Sequence, residues 1–175
     1  MKSKKVDENW VAVNIRHTFS SPPVVLAQCV SVNGSSAVST RIRNVTTNFF
    51  EVRLQEKEGS TDEGNHNYEE AHYILLEQHK NAFIVDNVTD TWKKLPFHLG
   101  GAYVASYLFG SVQTMAGPDT CALCQNMVNI GDYNIMLEEE TSFDSEIAHP
   151  FSERVSILRL FKGLIFYCSG KQMIT

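Results

Sequence analysis

The stretch Val38–Glu77, VSTRIRNVTTNFFEVRLQEKEGSTDEGNHNYEEAHYILLE, decides the fold. In its middle, apolar and polar side chains alternate, with Phe50, Val52 and Leu54 on one side of the chain, which is the period of a half-buried strand. The polar break at 46–48 separates this strand from β-branched and charged residues before it and favours a tight hairpin. The apolar run 71–76 is too short for an independent helix and predicts a third strand.

The same pattern returns 83 residues later, without gaps. Phe50 then corresponds to Tyr133 and Val52 to Ile135, and the identical pairs are Val45/Val128, Leu54/Leu137, Glu56/Glu139, Glu63/Glu146, His66/His149, Glu70/Glu153, Ile74/Ile157, Leu75/Leu158 and Phe83/Phe166. Because strand phase and loop length are kept together, the offset indicates two copies of one β unit. We expect the units at residues 5–85 and 87–168, with a loose segment at 1–9 and a polar junction at 86–94.

Composition excludes several classes of protein. The 175 residues are 43% hydrophobic and 20% charged, enough apolar content to bury a core. A formal charge of −5 without a basic stripe argues against binding to nucleic acid. No apolar run approaches the roughly 20 residues of a membrane-spanning helix, so no membrane insertion is expected. No signal peptide is recognisable, and the localisation stays open between a virion or exported surface assembly and the cytoplasm.

The residues that could carry chemistry favour structural roles. Cys121 and Cys124 have the spacing of a metal-binding pair, but no second pair exists, so neither a metal nor a cofactor is expected. The repeat places these cysteines where Val38 and Arg41 lie, which favours packing as reduced thiols. His66 and His149 occupy equal positions, and we expect a structural hydrogen bond at the base of a loop. No nucleophile motif or phosphate loop is present, so the sequence does not predict an enzyme.

Several of these residues carry a resemblance to a known family. The segment Pro22–Leu26, followed by Arg41-Ile42, Val45, Phe50 and Ile74–Glu77, resembles the H-type lectin family. The resemblance implies a compact six-stranded antiparallel β-sandwich that trimerises and often binds sugars of the N-acetylgalactosamine type. It extends to similar modules of bacterial and phage surface proteins, whose pattern matches Gly64, His66, Glu69, Tyr73 and Glu77.

The usual sugar site of that family is not matched. In sugar-binding members an aromatic residue and a histidine follow the hairpin, whereas Lys57 and Glu58 stand there in this chain. The arginine that the family uses before the hairpin falls on Ala37, and Arg41 matches a framework arginine instead. Carbohydrate binding would need other residues, and the loop residues Asp62, His66 and Tyr68 are the candidates. A solvated loop is the alternative interpretation.

Together these observations predict an all-β fold of two repeated antiparallel β-sandwiches of the H-type lectin-like type. Two functions remain open: a non-enzymatic structural component of a large assembly such as a virion or surface structure, and a lectin or adhesin that binds glycans. The ranges 24–32 and 103–114 are apolar on both faces. A unit of about 85 residues has a marginal core. We therefore expect a homo-oligomer or protein partners covering these strands, with the family's trimer as precedent.

Overall fold

The computed structural model describes residues 2–56, 66–96, 106–117, 120–129, 132–139 and 149–161. These residues form an all-β structure of antiparallel sheets, as the sequence predicted, and no helix occurs among them. Within the same residues, nothing helical is long and apolar enough to cross a membrane. The strands are β1 (Lys2–Val6), β2 (Val11–Asn14), β3 (Val24–Cys29), β4 (Val38–Arg43), β5 (Phe49–Glu56), β6 (Glu69–Leu76), β7 (Ala82–Val88), β8 (Lys93–Lys94), β9 (Ser106–Val112), β10 (Cys121–Asn129), β11 (Asp132–Glu139) and β12 (Glu153–Phe161).

The strands β1 to β6, which we call the first half, form two three-stranded sheets. One sheet has the order β1-β6-β3 and the other β2-β5-β4, with every neighbouring pair antiparallel. The predicted hairpin is β4–β5. Its connection contains Asn44 at a φ of 50°, a left-handed conformation that asparagine adopts more readily than most residues, and Thr46 Oγ1 caps it by accepting from Phe49 N at 3.0 Å.

The strands β7 to β12, the second half, repeat this arrangement in the same chain order. Their sheets have the orders β7-β12-β9 and β10-β11-β8, so β7 corresponds to β1, β8 to β2, and so on to β12 and β6. Register follows as well: Val38 lies opposite Glu56 in the first hairpin, and Cys121 lies opposite Glu139 in the second. The offset of 83 residues therefore holds through both hairpins.

Each half has its own apolar core, to which both of its sheets contribute. The side chains of Phe50, Val52 and Leu54 are at most 1% exposed, while those between them are half-buried, which confirms the inward and outward faces predicted from the alternation. The equivalent residues of β11, Tyr133, Ile135 and Leu137, are buried in the second core. The two central strands thus carry the stretch from which the fold was predicted.

Strand pairing departs from the expected unit boundaries. The segment 1–9 was expected to be loose, yet β1 pairs along β6, and Val6 is fully buried. The expected boundary at 85/87 falls inside β7, which pairs with β12 of the second half; the strand pairing divides the chain between Leu76 and Ala82. Both strands lie at sheet edges. Four of the five residues of β1 are polar, which concealed that strand, whereas the apolar part of β7 was assigned to the wrong half.

The alignment of β6 with β12 also needs a correction. The ungapped repeat pairs Ile74 with Ile157, but Ile74 is half-buried and lies on the face opposite the core, whereas Ile157 is fully buried. Tyr73 is the inward residue that corresponds to Ile157. One additional residue before β12 changes the offset to 84, and a shift of one residue reverses the faces of a strand.

The halves contact each other through the outer face of β3. Val25 N donates to Ser156 Oγ at 3.1 Å, and Gln113 Nε2 donates to Pro23 O at 2.8 Å. Val24 and Ser156 are both fully buried there. One outer face of each half is therefore partly covered by the other half.

Candidate functional site

A histidine bridges the two sheets of the first half at the base of the loop after β5. His66 Nδ1 lies 2.8 Å from Glu56 Oε1, and His66 Nε2 lies 3.1 Å from Glu69 Oε1. Glu56 is the last residue of β5 and Glu69 the first of β6, and all three side chains are buried. The imidazole therefore joins one sheet to the other, in agreement with the hydrogen-bonded structural histidine expected from the sequence.

The second half contains the equivalent cluster. His149 Nδ1 lies 2.8 Å from Glu139 Oε1 at the end of β11, and Nε2 lies 3.5 Å from Glu153 Oε1 at the start of β12. The histidine and the glutamate at the start of the next strand are three residues apart in the first cluster and four residues apart in the second. This added residue is the one that shifts the register of β12.

A glycine packs against each histidine ring. A Cβ on Gly34 would lie 2.2 Å from Cε1 of His66, and one on Gly117 would lie 2.9 Å from Cε1 of His149. Both glycines therefore serve close packing on the ring. A side chain at either position would displace the histidine ring from its cluster. We call each cluster of a histidine and its two glutamates a histidine clamp.

The first cluster holds a carboxylate in its charged form. Burial alone would raise the pKa of Glu69, but hydrogen bonds from Ser31 Oγ, Asn33 N, Gly34 N and His66 outweigh it and lower the pKa to about 2. The donor distances are 2.5, 2.6, 2.8 and 3.1 Å, in the same order. Charge-assisted bonds of this kind tie the segment after β3 to the start of β6.

The second cluster receives an arginine from the first half. Arg41 on β4 donates from Nη1 to Cys121 Sγ at 2.9 Å, and its Nη2 lies 3.4 Å from Glu153 Oε1. Arg41 and Glu153 are each 1% exposed. Glu153 also accepts from Thr114 Oγ1 and, at 2.7 Å, from Ala116 N. Arg41 thus links the two halves in the interior.

The cysteines of the described residues behave as ordinary thiols. Burial raises the pKa of Cys121, although Arg41 partly opposes the effect. Burial also raises the pKa of Cys124, and a hydrogen bond to Glu138 adds to the increase. Raised pKa values disfavour the nucleophilic thiolate. Across the described ranges, moreover, no group of three or more His, Cys, Asp or Glu side chains is arranged to hold a metal ion.

The residues proposed from the sequence for carbohydrate binding lie in different environments. His66 is buried with both ring nitrogens on carboxylates, while Tyr68 is 62% exposed. Asn33 Nδ2 donates to Tyr68 O at 2.8 Å, which fixes the backbone beside that ring. Asp62 lies outside the described residues. The described part of the chain does not bring His66 and Tyr68 to a common surface.

Sequence reasoning missed the partners of the histidines. No contact was predicted from the sequence for Glu56 or Glu139, although each is buried on a histidine. A signal was present, since both the glutamate and the histidine recur at the offset of 83. When two titratable side chains recur at the same spacing in two repeats that otherwise differ in sequence, a contact between them is indicated.

A groove of ≈ 380 Å³ lies between the halves. Its first wall carries Leu26, Val30 and Ile74, and its second wall carries Phe109, Leu158 and Leu160. On the strands these are positions facing away from the two cores. The groove is therefore lined mainly by apolar side chains that face away from the cores, whereas the polar side chains of the histidine clusters are buried. In comparisons with known proteins, the chain matches no family model, no curated protein and no solved structure.

Proposed function

We propose that the chain is a non-enzymatic building block, made of two H-type lectin-like β-sandwich repeats, in a larger assembly such as a virion or surface structure. One observation carries this proposal: the histidine–glutamate clusters are buried, while the groove between the halves is lined mainly by apolar side chains. Catalysis needs a reactive group that a substrate can reach. His66 is buried with a glutamate hydrogen-bonded to each ring nitrogen, and His149 is buried with its Nδ1 on Glu139 and its Nε2 3.5 Å from Glu153.

The arrangement of strands supports the fold part of the proposal. Six strands per half, in two three-stranded sheets of matching order, agree with the six-stranded sandwich that the resemblance implies. The contact between His66 and Glu69 gives a physical role to the His-x-x-Glu pattern, because it joins the sheets of one half. Arg41, which the resemblance matches to a framework arginine, has an interior role.

The groove supports the assembly part. Phe109 is 50% exposed on its wall, and Tyr107 on the same strand face is 57% exposed. Adjacent exposed aromatic side chains are typical of surfaces that bind protein. We therefore expect protein to cover this region in the assembly.

Covalent surface footprinting tests this function. The chain would be labelled with a carbene reagent in its native complex and again as the isolated chain. We expect labelling of Tyr107 and Phe109 to fall in the complex, whereas Met127, 57% exposed on β10, serves as the reference residue. Equal labelling of both aromatics in the two samples would overturn the proposal.

The second candidate function is a lectin or adhesin that uses loop residues other than the family's sugar site. The exposed ring of Tyr68 favours it, because aromatic rings stack on sugar faces. A glycan array with the unmodified chain and Tyr68→Ala tests it. Saturable binding that disappears in the variant would support the lectin, and an array without binding would leave the assembly function as the better account.

A further inference from the structure

The contact between the two halves joins different surfaces. The first half contributes Pro23, Val25 and Arg41, and the second half contributes Gln113, Ser156 and Glu153. Translated by the repeat, the second set corresponds to Val30, His72 and Glu69 of the first half, none of which is in the first set. The contact is therefore heterologous, because it joins two different surfaces of the repeat. In each half, the surface equivalent to the one that the other half contributes lies outside this contact; we call these two the retained surfaces.

The correspondence of these positions rests on hydrogen bonds. Val30 N donates to Glu70 O at 2.8 Å, and Gln113 N donates to Arg154 O at 2.7 Å. Ser31 Oγ donates to Glu69 and accepts from Glu70 N in β6. In the same way, Thr114 Oγ1 donates to Glu153 and accepts from Arg154 N in β12. Position 30 therefore corresponds to 113 in three dimensions as well as in sequence.

The retained surfaces are exposed where their counterparts are buried. Val24 is fully buried in the contact, but its equivalent Tyr107 is 57% exposed; Gln113 is 1% exposed, but its equivalent Val30 is 47% exposed. Val32, the equivalent of the half-buried Met115, is 91% exposed. We name Tyr107 and Phe109 the second-half face, and Val30, Val32 and His72 the first-half face.

We propose that a second copy of the chain docks head to tail, with its first-half face on the second-half face of its neighbour. The inference deepens the proposed assembly function and rests on it. The new contact would repeat the strand arrangement of the one inside the chain, with different side chains at the equivalent positions. Val30, His72 and Phe109 also line the groove between the halves, so a docked copy would enter the apolar region that is open.

The side chains at the retained faces suit an apolar contact. Tyr107 replaces Val24, Val30 replaces Gln113, and Cys124 takes the position of Arg41. Glu69, the equivalent of Glu153, accepts bonds from Ser31, Asn33, Gly34 and His66 within its own half, so it does not need an arginine from outside. The polar links of the internal contact are thus exchanged for buried apolar area, which is the main driving force of association.

Sedimentation velocity and native mass spectrometry test the proposal on the full chain. We expect masses that are multiples of the chain mass and depend on concentration. Phe109→Arg and Val32→Arg should each be monomeric, because each blocks one face. Met127→Arg is the matched control, since Met127 is as exposed as Tyr107 but outside both faces, and it should assemble like the unmodified chain.

Mixing the two blocked variants separates head-to-tail docking from a symmetric contact. Phe109→Arg keeps its first-half face and Val32→Arg keeps its second-half face, so an equimolar mixture should form 1:1 dimers and nothing larger. A mixture that stays monomeric, or variants that assemble as the unmodified chain does, would overturn the proposal. If the unmodified chain is monomeric at all concentrations while Tyr107 and Phe109 are covered in the native complex, the assembly function stands and self-docking fails.

Discussion

Replacing Arg41 by Met should destabilise the protein strongly. The reason is burial, as a comparison of its ion pair with a shorter, exposed ion pair shows. The pair Arg41–Glu153 has an N–O distance of 3.4 Å with side chains 1% and 0% exposed. The pair Arg154–Asp86 has a distance of 2.7 Å, but its side chains are 46% and 60% exposed. Distance alone would rank the second pair as the stronger, and burial reverses the ranking.

The magnitudes follow from what each substitution leaves behind. Without Arg41, Glu153 stays buried with less compensation for its charge, a situation that costs about 3 to 5 kcal/mol. Thr114 and Ala116 still donate to Glu153, so we expect a value near the lower end, about 3 kcal/mol. Arg154→Met should cost at most about 1 kcal/mol, because water solvates the remaining carboxylate.

Urea unfolding followed by tryptophan fluorescence measures the difference, since Trp10 lies in the first half and Trp92 in the second. Arg41→Met should lower the midpoint far more than Arg154→Met, with unchanged slopes. In a double-mutant cycle, Glu153→Gln should cost less in the Arg41→Met background than alone, because the two groups interact directly. Similar midpoints for the two arginine variants, or strictly additive effects in the cycle, would refute the reasoning.

Three further predictions concern the first half. Leu54→Ala should lower the free energy of unfolding by about 2 to 5 kcal/mol through a cavity, and Gln55→Ala, on the opposite face, by far less; equal urea midpoints would contradict the assignment of faces. The folded-state pKa of Glu69, about 2, lies below its ordinary 4.5, so its stabilisation is present above pH 4.5 and is lost as the pH falls toward 2; the acid slope of stability should flatten in Glu69→Gln, and an unchanged slope would exclude this role. Gly34→Ala should cost about 1 to 3 kcal/mol because its methyl group would overlap the His66 ring, and a melting temperature equal to that of the unmodified chain would show that the clamp tolerates it.

The strands that bury one face were predictable from sequence. Phe50, Val52 and Leu54 alternate with polar residues because β5 is the middle strand of a sheet with one face on the core and one outside. The repeat then located β11 without further assumptions, since the hairpin and its register are kept. The alternation and the hairpin both depend on residues close together in the chain, so both can be recognised from the sequence.

The remaining features depend on contacts far apart in the chain. β1 was missed because four of its five residues are polar, and only its pairing with β6 makes it a strand. Arg41 and Glu153 are 112 positions apart, and nothing near either residue indicates the other. The histidine clusters lie between these cases: their members repeat visibly, but burial on a carboxylate is decided by the meeting of two sheets.

The strand order of each half also determines how the chain can fold. Adjacent strands β4 and β5 can pair as soon as the hairpin closes, but Lys2 must find Tyr73, and Val25 must find Ser156 across 131 positions. Closing such long loops costs entropy before any contact repays it, and folding slows as the mean separation of contacts grows. We therefore expect the hairpins to form early, the outer strands of each half to join later, and the contact between the halves, which needs both, to form last. Until then the apolar outer face of β3 is exposed in addition to that of β9, and we expect the chain to be most prone to aggregation during that interval.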